Sequence, residues 1–138
     1  MENLYTLKVY PPRRSRVVYR VLTICGDATL HRLCHAILDS FDFDFDHLYE
    51  FYLSERANRG PTIPGPEMKE FADGPYASEI QLDQLKLARG QKIYLHYDFG
   101  DDWIFVISVQ KAEQVGSHME PAVINSKGEL EQYPAWDE

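Results

Sequence analysis

The chain has 138 residues, of which 44% are hydrophobic and 13% aromatic, and it carries a formal net charge of −8. This composition excludes a disordered chain, and no apolar run approaches the roughly 20 residues that a membrane-spanning helix needs. The length fits a single domain over residues 1–138, and the acidic balance opposes a general affinity for nucleic acid or anionic membranes. Because the start, MENLYTLKVY, has no basic segment followed by an apolar one, we expect no signal peptide, no membrane partner and a cytoplasmic location.

Two strands are predicted near the beginning of the chain. Tyr5, Leu7 and Val9 alternate with polar residues, and residues 17–24 are apolar on both faces, which predicts a central strand. Arg20 lies in this second strand, and a buried guanidinium needs carboxylate or carbonyl partners. We therefore expect Arg20 to pair with Asp98 unless that acid caps a turn.

The loop between these strands is basic, with Arg13, Arg14 and Arg16 in four residues. Clustered arginines favour contact with phosphate groups. A nucleic-acid contact through this loop is therefore possible, although the charge of the whole chain does not favour it.

An amphipathic helix over residues 28–41 is the most strongly predicted element, with Asp27 as its N-cap. His31 and His35 are one turn apart, a possible zinc-ligand spacing, but no convincing third and fourth ligands accompany them. They predict a surface histidine pair, and the sequence predicts no metal and no cofactor. Cys25 and Cys34 have no C-x-x-C spacing and are expected to be buried thiols. The apolar face is formed by Leu30, Leu33, Cys34, Ile37, Leu38 and Phe41.

Less regular segments follow the helix. Residues 48–53 predict a short strand, and residues 57–78 contain so many Pro and Gly residues that they predict a long surface loop. A short helix is predicted over residues 82–87. Residues 113–138 form an acidic tail.

The segment YDFGDDW, residues 97–103, joins two alternating strands and predicts a β-hairpin. Asp98 and Asp101 are expected to accept hydrogen bonds from backbone N–H groups, while Gly100 adopts a positive φ. Tyr97 is the last residue of the first strand. Trp103 begins the second strand and is expected to pack into the core. Asp102 is expected to lie nearer the solvent.

Known catalytic patterns fit this chain poorly. The DFG at 98–100 lacks the other parts of a kinase, and the acids of residues 42–46 do not complete a calcium loop. Three interpretations remain. The first is a small recognition module that binds another protein, with His47 and Tyr49 as possible binding residues. The first alternative is an uncharacterised enzyme or metal-binding protein that uses the hairpin acids and two histidines: Asp98, Asp101, Asp102, His47 and His96. The second is a nucleic-acid binder that uses the arginine loop.

Four motifs in order resemble the plasmid pRiA4b ORF-3-like family over residues 3–112: VYR at 18–20, the helix at 29–41, HLYEF at 47–51 and YLHYDFGDDW at 94–103. The resemblance implies an α+β fold: a mixed β-sheet with a strand-strand-helix-strand start and a C-terminal β-hairpin, with helices packed on the sheet. The family name also implies an association with plasmids or mobile elements, but no reaction. Family members commonly have Trp-x-His where this chain has Trp103-Ile104-Phe105, so any role of that histidine is absent here.

Overall fold

A computed structural model describes residues 2–54 and 61–134. It contains one α-helix, α1 (Leu30–Ser40), and three short 3-10 helices, Pro66–Met68, Ala77–Glu79 and Leu82–Leu85. The strands are β1 (Glu2–Tyr10), β2 (Tyr19–Cys25), β3 (Tyr49–Tyr52), β4 (Thr62–Pro64), β5 (Lys92–Tyr97), β6 (Trp103–Val115) and β7 (Ala122–Lys127).

The seven strands form one sheet in the order β4-β3-β5-β6-β1-β2-β7, and every neighbouring pair in it is antiparallel. The predicted α+β fold, with a mixed sheet and several helices packed on it, is therefore wrong, because the described chain is mainly β. Parallel pairing needs crossover connections of about a dozen residues or more, whereas only residues 11–18 join β1 to β2 and only residues 98–102 join β5 to β6. The β5–β6 hairpin is present but is not the last element, because β7 follows it and pairs with β2.

Helix α1 packs on one face of the sheet, and the core lies between them. The strand residues that point toward the helix, such as Leu7 and Phe105, are fully buried. The N-cap is Thr29 rather than Asp27, because the Thr29 hydroxyl accepts a hydrogen bond from the N–H of Arg32 at 3.1 Å. Both cysteines are buried and free.

Residues 61–78 contain more regular structure than the predicted loop. Strand β4 pairs with β3, and Ile63 and Met68 are buried. Proline is tolerated there because β4 is an edge strand, where a missing N–H does not interrupt the ladder. The first part of the predicted loop, residues 57–60, lies outside the described residues. The predicted acidic tail likewise contains the end of β6 and all of β7.

No helix in the described part of the chain is long and apolar enough to cross a membrane.

Candidate functional site

The loop of the β5–β6 hairpin consists of residues 98–102. The pair of residues that closes it is Tyr97, before the loop, and Trp103, after it. The Asp98 carboxylate accepts hydrogen bonds from the N–H of Gly100 at 3.0 Å and of Asp101 at 3.3 Å. Asp98 therefore caps the turn.

The backbone of this loop differs from the prediction at one position. Asp98 and Asp102 adopt the left-handed conformation, with φ of 64° and 54°, whereas Gly100 does not have a positive φ. Aspartate tolerates this conformation better than most side chains. The loop closes through a 2.6 Å hydrogen bond from the N–H of Asp102 to the carbonyl oxygen of Asp98. The turn thus depends on aspartate at both ends rather than on its glycine.

Arg20 is buried as expected, but it does not pair with Asp98. Strands β6 and β1 lie between β5 and β2. At about 4.8 Å for each strand spacing, this order separates the two residues by roughly 14 Å. Arg20 instead donates to four backbone carbonyl oxygens, and its guanidinium lies 3.5 Å from the exposed carboxylate of Glu129. The four carbonyl groups are those of Tyr19, Ser40, Lys127 and Gly128.

His47 lies at the centre of a polar group beside the hairpin loop, which we call the His47 cluster (Asp46, His47, Tyr97, Asp98 and Tyr133). The His47 Nε2 atom is 2.6 Å from the Tyr133 hydroxyl, 3.3 Å from Asp98 Oδ2 and 3.4 Å from Asp46 Oδ1. The Tyr133 hydroxyl donates to Asp46, so it accepts from the Nε2–H of His47. The cluster joins the segment before β3, the hairpin loop and the end of the chain.

Tyr97 holds the backbone under this cluster. Its hydroxyl donates to the carbonyl oxygen of Asp44 at 2.6 Å and accepts from the N–H groups of Asp46 at 2.8 Å and His47 at 3.1 Å. Burial raises the pKa of Tyr97 to about 12, so the hydroxyl remains protonated and can donate.

The ionisation of Asp46 follows from the same contacts. Desolvation alone would raise its pKa, but the hydrogen bond from Tyr133, the hydroxyl dipole of Tyr97 and nearby His47 lower the pKa below its usual value. The pKa of the Tyr133 hydroxyl rises to about 12 through desolvation and its bond to Asp46. At neutral pH the cluster therefore holds an Asp46 carboxylate that accepts from the protonated Tyr133 hydroxyl.

The three hairpin acids have different partners. Asp98 is 5% exposed and caps the turn, whereas Asp102 lies toward the solvent and is 2.7 Å from Nε2 of His96. Asp101 lies on the surface beside the cluster. Within the part of the chain that the structure describes, these three carboxylates do not form a group that could hold a metal ion.

An open groove of about 420 Å³ lies beside the hairpin loop, and we call it the acidic groove. Trp103 and Tyr133 provide aromatic walls, while Asp101 and Glu131 provide carboxylates. The Nε1–H of Trp103 is buried and has no hydrogen-bond partner among the described residues. The complete lining is Asp101, Trp103, Glu131, Gln132, Tyr133 and Pro134.

Other residues predicted from the sequence lie elsewhere. Tyr49 is fully buried and its hydroxyl is 2.5 Å from Nδ1 of His31, so it does not offer a binding surface. His31 and His35 are half-buried rather than a surface pair, and His35 stacks on Phe45 at 4.0 Å. Arg13, Arg14 and Arg16 are exposed in the β1–β2 turn, as predicted.

Several site residues were missed in the sequence. Asp46 and Tyr133 belong to the His47 cluster, and Glu131 lines the acidic groove. The alternating acids of residues 42–46 and the aromatic tail segment EQYPAW were the available signals. Neither signal indicated that the two segments meet, because their separation in sequence is large.

Over residues 2–54 and 61–134, the fold and this site define a mainly β protein: an antiparallel seven-stranded sheet with one α-helix on it and an acidic hairpin loop beside a groove. The sequence profile of the plasmid pRiA4b ORF-3-like protein family matches residues 3–132, and the chain belongs to this family. The match confirms the resemblance found in the four motifs.

Comparison with solved structures found the crystal structure of MM3350, a protein of unknown function from Methanosarcina mazei Go1. The TM-score is 0.68 at 21% sequence identity, over 91% of this chain and 70% of that chain. At this identity the similarity shows the fold alone. A search of curated proteins gave no match.

Proposed function

We propose that this protein is a recognition module whose acidic groove binds an extended basic segment of another protein. The observation that carries the proposal is the combination of two aromatic walls, Trp103 and Tyr133, with two carboxylates, Asp101 and Glu131, around one open groove. Through the family name, the proposal extends to partners encoded on plasmids or mobile elements.

The chemistry of the groove fits an arginine or lysine side chain. A guanidinium or ammonium group is attracted to the face of an aromatic ring and to carboxylates. The aliphatic part of the side chain can pack on the same ring. The net charge of −8 adds a long-range attraction that speeds the approach of a basic partner.

The groove is also preorganised, which reduces the entropy lost on binding. Gln132 is 8% exposed and makes a double contact with Asp44: its Oε1 accepts from the N–H at 2.6 Å and its Nε2 donates to the carbonyl oxygen at 3.1 Å. Tyr133 is held by Asp46. Two neighbouring residues of the segment that forms one side of the groove are therefore fixed to the rest of the fold.

Selection from a random peptide library tests this proposal. We expect the protein to enrich peptides that contain arginine or lysine, and the double variant Asp101→Asn/Glu131→Gln to lose this enrichment. The matched control is Glu70→Gln/Asp73→Asn, which makes the same change in net charge at exposed positions that do not line the groove. Enrichment of acidic or purely apolar peptides would contradict the proposal.

The affinity of a selected peptide can be followed through Trp103. The chain has two tryptophans, so Trp136→Phe leaves Trp103 as the single fluorescent reporter in the groove wall. We expect a saturable fluorescence change, and at least about a tenfold weaker affinity in the groove double variant. An equal loss in the control variant would show that only general electrostatics was measured.

A second candidate function is binding of single-stranded nucleic acid on the other face of the sheet. A groove of about 380 Å³ there contains Arg13 and Lys92 beside Tyr10 and Tyr94. Cations beside aromatic rings suit phosphates and stacked bases. Anisotropy of a labelled oligothymidylate should then respond to Arg13→Gln but not to Arg16→Gln, because Arg16 does not line this groove.

A further inference from the structure

Three potential metal ligands meet at the end of strand β2, and none of them lines the acidic groove. Cys25 is the last residue of β2, Asp27 lies in the turn that follows, and His118 lies in the connection between β6 and β7. The pairing of Thr23 with Ala122 brings this connection beside the end of β2. One ligand atom from each of the three residues lies within 4.8 Å of the other two.

The distances are close to those of a metal-bound set. Ligand atoms bound tetrahedrally to zinc at about 2.0–2.3 Å are roughly 3.3–3.8 Å from one another. The His118 Nδ1 atom and the Asp27 Oδ2 atom are 3.4 Å apart, which already fits this separation. The sulfur therefore needs to approach by no more than about 1–1.5 Å.

Neighbouring groups hold the ligand atoms in position. The Cys25 sulfur accepts a hydrogen bond from the N–H of Met119 at 3.3 Å, which places it next to the residue that follows His118. The Nε2 atom of His118 lies 3.7 Å from the Glu120 carboxylate, while Nδ1 points to Asp27. A carboxylate on the far side of the ring is the usual means of orienting a metal-bound histidine.

We propose that Cys25, Asp27 and His118 bind one zinc ion. Sulfur and imidazole ligands favour zinc over calcium or magnesium, which prefer oxygen. A thiolate and a carboxylate also neutralise the two charges of the ion, and a water molecule completes the tetrahedral set. The Asp27 and His118 side chains are 43% and 49% exposed, so the ion enters from the solvent and meets the buried sulfur last.

The bound ion joins the β6–β7 connection to the end of β2. Strand β7 follows this connection directly and is an edge strand with exposed residues throughout. Since a ligand that binds only the folded state stabilises it, zinc should raise the unfolding temperature. The proposal revises the sequence-based prediction of no metal, which weighed the His31–His35 pair and the acids of residues 42–46 but not Cys25, Asp27 and His118. It is independent of the proposed peptide binding, because none of the three ligands lines the acidic groove.

Cobalt substitution of protein purified without a histidine tag tests the site. After removal of metals with a chelator, titration with Co²⁺ should give one equivalent of visible bands typical of tetrahedral coordination. A near-ultraviolet band from sulfur-to-cobalt charge transfer should appear with them and should disappear on addition of Zn²⁺. We expect Cys25→Ser to lose both the visible bands and the charge-transfer band. We expect His118→Gln to lose most of the intensity of the visible bands.

Matched controls separate this site from other cysteines and histidines. Cys34→Ser and His35→Gln should keep the full cobalt spectrum, because neither residue belongs to the cluster. If Cys25→Ser does not fold, exposed His118→Gln still decides the question: its affinity for Zn²⁺, measured by competition with a coloured chelator, should fall at least about tenfold. Absence of the charge-transfer band in the parent protein, or an unchanged affinity in His118→Gln, would overturn the proposal.

Discussion

The Nε atom of Arg20 donates a 2.6 Å hydrogen bond to the carbonyl oxygen of Ser40, the last residue of helix α1. The carbonyl groups at the end of a helix lack partners within it and carry partial negative charge. Arg20 is 4% exposed, and its guanidinium lies over the ring of Phe41 at 4.4 Å. One side chain thus connects the sheet to the end of the helix.

Arg20→Ala should therefore destabilise the protein by about 2–4 kcal/mol, because four backbone carbonyl groups lose the donor that the buried side chain provides. Glu129→Gln is the control. It should cost less than about 1 kcal/mol, since the Glu129 side chain is 82% exposed and solvent screens its attraction to Arg20. Urea unfolding of both variants measures the two free energies. Equal costs would show that the ion pair, not the backbone contacts, determines the role of Arg20.

Asp98→Ala should cost more stability than Asp102→Ala. Both residues have a positive φ, so alanine adds a similar backbone cost of about 1 kcal/mol at each position. Only Asp98 is buried, and its removal leaves the N–H groups of Gly100 and Asp101 without an acceptor. We expect a difference of about 2 kcal/mol in the free energy of unfolding between the two variants.

Urea melts provide the measurement for this pair. If Asp98→Ala is as stable as the parent protein, the carboxylate is held in place for binding or catalysis rather than for the turn.

Trp103→Phe should change the free energy of unfolding by less than about 1 kcal/mol. Phenylalanine keeps the contacts with Phe43 and Phe105 and removes the buried Nε1–H that has no partner among the described residues. The desolvation cost of that unpaired group is of the same order as the lost packing. Trp103→Ala is the contrasting variant and should cost about 3 kcal/mol or more. A loss of that size in Trp103→Phe would show that the indole N–H is paired.

Stability should decrease as the pH falls below about 6.5, in part through His35. Burial and the neighbouring His31 lower the pKa of His35, although Asp39 and Glu67 oppose the shift and Arg32 adds to it. The unfolded chain then takes up a proton at a pH where the folded protein does not, so the free energy of unfolding rises with pH in this window. Chemical unfolding at several pH values should show a smaller slope in His35→Gln. An unchanged slope would assign the dependence to other groups.

Local patterns were sufficient for several elements. Period-two alternation located β1, β5 and β6, and the helical spacing from Leu30 to Phe41 located α1. The proximity of the hairpin strands also followed from sequence, because only five residues separate them. The capping role of Asp98 could be predicted for the same reason: its donors are two and three residues away.

The sequence by itself therefore determined strands β1, β2, β3, β5 and β6, the helix, the hairpin and the family, all of which depend on contacts or spacings between near neighbours. It did not determine β4 and β7, which lie in segments that were predicted as a loop and a tail. Only the tertiary structure decided the sheet order, which places β6 and β1 between Asp98 and Arg20 and gives Arg20 carbonyl partners from residues 40, 127 and 128. It also decided that Tyr133 meets His47 and that His118 meets Cys25. These pairs are brought together by strand pairing over long separations, and that pairing is set by the burial of the whole sheet face against α1 rather than by any local signal.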